Sequence, residues 1–229
     1  MSKKIILALD TANLEEAINI TKKIKNKIFT VKLGLEFFNA HGKEGIRKFN
    51  EIGVTNLMLD LKLKDIGQTV YKAIKAIDDI SFGFLTIHGQ GGKNMIEEAK
   101  KATNEIKCKP KIMMVTILTS LSNEDLKDMG NENSVVKQVE NLAKVAKEKE
   151  IGVVCSGHEA RTVRKILGPN LLIFTPGVRM ETDDKNDQKR TCTPSESIKN
   201  GADKVIMGRS LIKGNIEENI NKVSNSIKE

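Results

Sequence analysis

The chain has 229 residues, enough for a domain with a sizeable hydrophobic core. Its formal net charge is +8, but the lysines are interleaved with glutamates and aromatic residues make up only 3% of the chain, so we expect no nucleic-acid partner. The 3 cysteines lie too far apart for a disulfide framework or a zinc site, and the lack of a leader or a long apolar span predicts a cytoplasmic protein without membrane contact.

Eight apolar, strand-like runs alternate with amphipathic stretches of helical length. The strand-like runs cover residues 5–9, 29–33, 56–63, 82–88, 111–118, 151–155, 171–175 and 204–207. The helical stretches include residues 14–24, 35–52, 95–106, 134–149, 159–167 and 194–200. This alternation predicts an α/β fold with a parallel sheet, and eight repeats favour a single (β/α)8 TIM barrel that comprises residues 1–229. An open, doubly wound sheet is the alternative.

The third strand-like run, residues 56–63, carries the strongest chemical signal. Leucines alternate there with Asp60 and Lys62, and a period of two places both charged side chains on one face of a strand. Most charge runs are simply solvated, but this run looks buried on both faces, where opposite charges must be paired. Helical spacing begins downstream, which predicts a turn at residues 66–68 with Asp65 just before it. We therefore predict catalytic roles for Asp60 and Lys62.

Polar residues stand at the carboxyl ends of most predicted strands, where barrels place their active sites. They are Asp10, Lys32, Asp60, Lys62, His88, Thr119, Ser120, Arg179, Gly208, Arg209 and Ser210. Some have simpler explanations, because Asp10 and Ser210 could cap helices, and we interpret His88 as a hydrogen-bonded core residue. Capping does not explain why four charged side chains, from Asp10 to Lys62, arrive at one rim.

A short motif after the last strand indicates a phosphorylated ligand, and a long polar segment precedes it in the chain. The turn Gly208-Arg209-Ser210 precedes a helix after the last strand, which is the common phosphate site of barrels, and Arg209 would add a charged contact. Residues 177–190 form a polar segment too long for an ordinary connection of ~2–6 residues. Such a segment is usually a disordered loop or a lid.

These motifs resemble the bacterial type of the orotidine 5′-phosphate decarboxylase family. They are Leu-Ala-Leu-Asp at 7–10, Val-Lys-Leu-Gly at 31–34, Asp-Leu-Lys-Leu-Lys-Asp-Ile at 60–66, Thr-Pro-Gly-Val-Arg-Met at 175–180, Asn-Asp-Gln-Lys-Arg at 186–190, Thr-Pro at 193–194 and Gly-Arg-Ser at 208–210. They follow the family order along essentially the whole chain. Gly67 and Gln68 stand where the family usually has Pro-Asn, and Lys64 replaces a frequent histidine. We expect Gly67 to loosen a turn that proline would stiffen.

The resemblance implies a homodimer that converts orotidine 5′-monophosphate to UMP without a metal or an organic cofactor. Lys32, Asp60 and Lys62 of one subunit would form an alternating array with Asp65 of the other, and Lys62 would donate the proton. Asp10 and Lys32 would hold the ribose. Asp65 and Thr69 would reach this site across the dimer interface.

The resemblance also assigns the remaining contacts to the substrate. Thr119 and Ser120 would contact the pyrimidine. The phosphate would be bound by Arg179, Gln188, Gly208 and Arg209. Residues 177–190 would then be the lid that closes over the bound substrate.

Two other functions stay open. A Mg²⁺-dependent sugar-phosphate decarboxylase or synthase of the same barrel superfamily resembles this chain at Asp60, Lys62 and Asp65, but such proteins typically lack a lysine at position 32. A phosphate-binding barrel without catalysis is the other alternative, because a fold does not imply an activity. The intact set of two lysines and two aspartates disfavours it.

Overall fold

Runs of buried, mostly aliphatic residues form the strands of a closed parallel barrel in the computed structural model, which describes residues 2–180 and 191–227. The strands are β1 Ser2–Leu9, β2 Ile28–Gly34, β3 Met58–Leu63, β4 Phe84–His88, β5 Lys111–Val115, β6 Gly152–Val154, β7 Ile173–Thr175 and β8 Lys204–Met207. Each strand pairs with the next, and β8 pairs with β1. The predicted eight-stranded parallel barrel is confirmed, and the open sheet is wrong.

Amphipathic helices follow the strands and cover the barrel. They are α1 Leu14–Ile24, α2 Leu35–Glu51, α3 Gly67–Lys75, α4 Gly92–Glu105, α5 Asn123–Asp128, α6 Val135–Glu148, α7 Ala160–Leu167, α8 Pro194–Lys199, α9 Arg209–Ile212 and α10 Ile216–Ser226. In α1, the Asn13 side chain caps the amino end and Ala17 and Ile24 are buried. In the part of the chain that the structure covers, no helix combines the length and apolarity needed to cross a membrane.

Aromatic side chains fill the barrel near the amino ends of its strands. Phe84 lies between Phe29 and Phe174, with ring centroids 5.7 Å and 5.2 Å away. The Lys204 ammonium stands 4.3 Å from the centroid of the Phe29 ring, a cation–π contact. Polar side chains converge instead at the carboxyl ends, where the active site was predicted.

The connection between β3 and α3 differs from the prediction of a turn at residues 66–68. The Ile66 carbonyl accepts hydrogen bonds from the backbone N–H groups of Thr69 and Val70, so α3 already begins at Gly67. Gly67 is buried against α4, and a Cβ there would lie 2.5 Å from Asn94 Oδ1. This glycine lets α3 and α4 pack closely, and the expectation of a loosened turn stays a prediction.

Candidate active site

A cavity of about 280 Å³ opens at the carboxyl ends of the strands. Its apolar lining includes Ala8, Met58, Val115, Val154 and Ile206. Its polar lining consists of Asp10, Lys32, Asp60, Lys62, Thr119, Ser120, Arg179, Gly208 and Arg209, all of which were predicted site residues. The structure thus brings together side chains from six strand ends around an apolar floor.

Asp60 is the centre of the charged wall. Its Oδ2 atom lies 2.9 Å from Lys62 Nζ and 3.1 Å from Lys32 Nζ. Lys32 Nζ also donates a hydrogen bond to Asp10 Oδ1 at 3.1 Å. Lys32 and Asp60 are each 8% exposed, whereas Asp10 and Lys62 reach into the opening. One carboxylate oxygen is therefore shared by two ammonium groups at a nearly dry position.

The charges of this cluster support one another. Burial opposes ionisation of Asp60, but Lys32 and Lys62 outweigh burial and hold the pKa of Asp60 below its ordinary value. Burial likewise opposes the charge on Lys32, but Asp60 and Asp10 outweigh it and raise the Lys32 pKa. Both groups are therefore ionised at neutral pH.

The backbone of Lys62 has a left-handed conformation, with φ of 47°. In the same region the pairing of β3 with β4 shifts register between Leu59 and Leu63. A shift of this kind leaves ladder groups without their regular partners and redirects side chains. Here the backbone N–H of Lys62 donates to the Thr86 hydroxyl at 2.8 Å, so a side chain replaces the missing ladder partner.

Thr86 was given no role in the sequence analysis. Its Oγ1 atom also donates to Asp60 Oδ1 at 2.9 Å, and the residue is fully buried. The available signal was its position on β4, two residues before His88 and on the same face. That position alone does not reveal which atoms of β3 it contacts.

Asp65 and Thr69 do not reach the cavity of their own chain. Both are exposed, and Asp65 Oδ1 accepts a hydrogen bond from the backbone N–H of the next residue at 2.7 Å. Ile66, between them, is 74% exposed, which is unusual for an isoleucine. The predicted contribution of Asp65 and Thr69 to a neighbouring subunit stays a prediction.

The histidine at the end of β4 was interpreted incorrectly. His88 Nδ1 is buried and has no hydrogen-bond partner in residues 2–180 or 191–227. Burial, with further contributions from Lys64 and Lys62, holds the pKa of His88 below its ordinary value. The capping alternatives are also wrong, because Asn13 caps α1 in place of Asp10, and Ser210 lies within α9.

The arginines border the opposite side of the cavity. Gly177 has a φ of 70°, a left-handed conformation that suits glycine, and Val178 forms a bridge with Cys192. The backbone N–H of Arg179 donates to the Cys192 carbonyl at 3.1 Å. Residues 177–180 and 191–192 are thereby joined beside the cavity. Gln188 and most of the predicted lid lie outside the described residues.

The candidate site contains no obvious set of metal ligands. In the two described ranges, no three or more His, Cys, Asp and Glu side chains are grouped to hold a metal ion. The predicted independence from metals and cofactors is a separate matter, which stays a prediction.

Comparison with known proteins gives one consistent family. A sequence model of the orotidine 5′-phosphate decarboxylase / HUMPS family matches residues 3–221. A protein named orotidine 5′-phosphate decarboxylase from Wolbachia sp. subsp. Brugia malayi is 44% identical over 216 residues, which cover 94% of each chain. The relative of that name from Wolbachia pipientis subsp. Culex pipiens is 45% identical over 208 residues and 90% of each chain.

Solved structures agree with the sequence comparison. The crystal structure of orotidine 5′-phosphate decarboxylase from Lactobacillus acidophilus has a TM-score of 0.82 at 30% identity, and 100% of each chain is covered. The fold, the family match and the curated relatives therefore coincide over nearly the full length. The chain belongs to the orotidine 5′-phosphate decarboxylase / HUMPS family.

Proposed function

We propose that this protein decarboxylates orotidine 5′-monophosphate to UMP and CO₂ in the cytoplasm, as a step of pyrimidine biosynthesis. The observation that carries the proposal is Asp60 Oδ2 held between the Lys32 and Lys62 ammonium groups inside the cavity. Relatives that cover 90% or more of the chain carry the name of this decarboxylase, which supports the same activity here.

The proposed chemistry explains why an ammonium group faces the cavity. When the bond between C6 and the carboxylate breaks, CO₂ leaves and the electron pair stays on C6, where the ring delocalises it poorly. Lys62 stabilises the developing charge electrostatically and then donates a proton to C6, which forms UMP. The neutral amine regains a proton from solvent. This route uses neither a metal nor an organic cofactor.

Asp60 and Lys32 prepare Lys62 for this step. The short contact with Asp60 fixes the Lys62 ammonium before substrate binds, so little reorganisation is needed during the reaction. Lys32 balances the buried Asp60 charge and, with Asp10, is placed to contact the ribose hydroxyls. The cluster thus combines substrate positioning with stabilisation of the transition state.

The proposed site is completed by a second subunit. Asp65 would extend the row of alternating charges beyond Lys62, and Thr69 would contact the ribose from the first turn of α3, which begins just after Asp65. Support comes from the exposure of both residues and of the apolar Ile66 between them, a surface that a second copy could cover. A homodimer would then be required for activity.

The phosphate is proposed to bind opposite the lysines. Arg179 and Arg209 line that side of the cavity, and Gly208 allows the turn to pass close to β1, since a Cβ at this position would lie 3.3 Å from the Ala8 carbonyl oxygen. Gln188 is proposed to add a hydrogen bond. Thr119 and Ser120, in the turn that follows β5, are placed to contact the pyrimidine.

A direct assay decides between this function and its alternatives. Purified protein is mixed with orotidine 5′-monophosphate in the presence of EDTA, and the loss of ultraviolet absorbance of the orotate ring is followed. Turnover with EDTA supports the proposal. Turnover that requires added Mg²⁺ favours the metal-dependent alternative, and binding of UMP without turnover favours the silent phosphate-binding barrel.

A further inference from the structure

We propose that Thr86 is a positioning residue that aligns both Asp60 and Lys62 for the reaction. The inference rests on the proposed decarboxylation and adds a residue that does not line the cavity and is not expected to touch substrate. It acts from behind the charged wall, through one hydroxyl group.

The hydroxyl of Thr86 bridges a side chain and a backbone group. Its proton goes to Asp60 Oδ1 at 2.9 Å, and its oxygen accepts the N–H of Lys62 at 2.8 Å. A hydroxyl is suited to this place because it donates and accepts at once. Since Thr86 is fully buried, no bulk water replaces either bond when the hydroxyl is removed.

The contact with Asp60 determines which carboxylate oxygen faces the lysines. Oδ1 is turned toward Thr86, while Oδ2 receives both Lys32 and Lys62. A carboxylate fixed at one oxygen cannot rotate freely about its terminal torsion. Thr86 therefore keeps the two ammonium groups on one acceptor atom and at a defined separation.

The contact with Lys62 supports an unfavourable backbone conformation. A lysine with φ of 47° is uncommon, and it persists only where neighbouring groups hold it. The register shift between β3 and β4 removes the regular ladder partner of this segment, and the Thr86 hydroxyl supplies a substitute. The direction in which the Lys62 side chain leaves the strand thus depends on Thr86.

Thr21 is a buried threonine whose hydroxyl makes a different connection. Thr21, also fully buried, donates to the Ala17 carbonyl of its own helix, as a hydroxyl in a helix commonly does. Thr21 is remote from the charged wall in the fold, on the outer helix α1. Thr21→Val is therefore a matched control that removes one buried hydroxyl and keeps the shape of the side chain.

The test compares Thr86→Val with Thr86→Ser. Valine keeps the shape and removes the hydroxyl, so we expect kcat to fall by about tenfold to a hundredfold, as for a lost hydrogen bond to a charged group. KM should change less than about threefold, because the residue does not contact substrate. Thr86→Ser should restore most of the rate, and Thr21→Val should keep it. Thr86→Ala replaces the valine variant, with the same expectation, if that variant does not fold.

A pH profile separates positioning from general destabilisation. Without the Thr86 hydrogen bond the ionised form of Asp60 is less favoured, so the acidic limb of kcat should move to higher pH in Thr86→Val and return in Thr86→Ser. Thr21→Val should not move it. A valine variant with the kcat and the acidic limb of the parent would overturn the proposal.

Hydrogen exchange at the Lys62 amide gives a readout that does not need turnover. In the parent and in Thr86→Ser this amide should exchange slowly, and in Thr86→Val it should exchange faster, while UMP still binds. If the parent itself does not convert orotidine 5′-monophosphate, the proposed function fails, and exchange still decides whether Thr86 holds Lys62. Equal exchange in the parent and Thr86→Val would overturn the positioning role.

Discussion

Lys62 Nζ lies 2.9 Å from Asp60 Oδ2 even though the Lys62 backbone has a left-handed φ of 47°. A conformation of this kind costs about 1–3 kcal/mol and persists where the surrounding structure over-determines it. The residue proposed as the proton donor is therefore held by two constraints, an ion pair at its side chain and a hydrogen bond at its backbone. The ion pair is formed within β3, and the hydrogen bond is formed with Thr86 on the neighbouring strand β4.

Replacing the proposed donor should separate catalysis from binding. In Lys62→Ala we expect kcat to fall by much more than about tenfold, or ~1.4 kcal/mol of barrier, because Lys32, the other ammonium of the cluster, is buried and held by Asp60 and Asp10. Binding of UMP should be largely kept, since the proposed phosphate contacts are Arg179 and Arg209 and not Lys62. Steady-state kinetics and titration calorimetry measure the two quantities.

The control for this variant is Lys165→Ala, which removes an exposed lysine from α7. It changes the net charge of the protein by the same amount and should retain the kcat of the parent. A Lys62→Ala protein whose kcat stays within about tenfold of the parent would contradict the assignment of the proton donor.

Acid should weaken the cluster at a predictable pH. The pKa of Asp60 is held below its ordinary value of 3.8, so this carboxylate contributes stability above pH 3.8 that is lost as the pH falls through its lowered pKa. The Asp60→Asn variant has no carboxylate at this position, so its stability lacks this pH-dependent contribution. The difference in free energy of unfolding between parent and variant should therefore be largest above pH 3.8 and shrink below it, as measured by denaturant titration.

The contribution of Lys32 to the free energy of unfolding has the opposite pH dependence. Because the Lys32 pKa is raised above 10.5, its contribution is complete below that pH and is lost only as the pH rises through the raised value.

The control for Asp60→Asn is Asp128→Asn, at an exposed position at the end of α5, which should change stability little. A parent-minus-Asp60→Asn difference that grows as the pH falls below 3.8 would contradict the direction given for Asp60.

Mixed subunits should reveal a shared active site. Lys62→Ala and Asp65→Ala are each expected to be nearly inactive, but a heterodimer of the two contains one site with both residues intact. After subunit exchange in equal amounts, about a quarter of the parent activity should return if the subunits pair at random. Activity is measured before and after exchange, and exchange itself is verified by mass spectrometry of the intact dimers.

The control for this experiment is a mixture of the Lys62→Ala and Asp60→Asn variants. Lys62 and Asp60 belong to the same subunit's site, so subunit exchange cannot bring the two intact residues together. Every site in such a mixture lacks one of the two residues, so no activity should return. Recovery in this control, or none in the Lys62→Ala and Asp65→Ala mixture despite verified exchange, would argue against a site shared across the dimer.

The alternation of apolar runs with amphipathic stretches was sufficient to predict the barrel. Parallel strands are buried on both faces, so they stand out as apolar runs in the sequence. All eight predicted runs overlap the observed strands, and α1 Leu14–Ile24 has the predicted bounds. The rule that active sites lie at the carboxyl ends of barrel strands then brought Asp10, Lys32, Asp60 and Lys62 to one cavity. These placements follow from local pattern and chain order alone.

The relationship between β3 and β4 could not be predicted in the same way. The hydrogen bonds of Thr86 depend on the register shift between Leu59 and Leu63, and residue period does not encode the offset between two strands. The turn at residues 66–68 was misplaced because the burial of Gly67 against α4 is a tertiary contact. α10 Ile216–Ser226 was not among the predicted helices, although Ile216, Ile220 and Val223 have helical spacing.

Removing the proposed phosphate contact should cost more than affinity. Arg209 is remote from the bond that breaks, but binding energy gained at the phosphate can be expressed in the chemical step. Arg209→Ala should lower kcat/KM by roughly two decades, as the loss of a charge-assisted contact of ~3 kcal/mol implies. Arg161→Ala, at an exposed position on α7, is the charge-matched control and should leave kcat/KM unchanged.

A truncated substrate tests the same coupling without a mutation. Orotidine, which lacks the phosphate, should be a very poor substrate, and adding free phosphite should recover part of its turnover in the parent. The reason is that a dianion bound near Arg179 and Arg209 would still stabilise the closed form of the proposed lid, whether or not it is attached to the nucleoside. Phosphite should activate Arg209→Ala much less than Arg161→Ala. Similar kcat/KM values for orotidine and its monophosphate would show that the phosphate is not coupled to catalysis, and that the roles proposed for the Gly208 turn and for residues 177–190 are wrong.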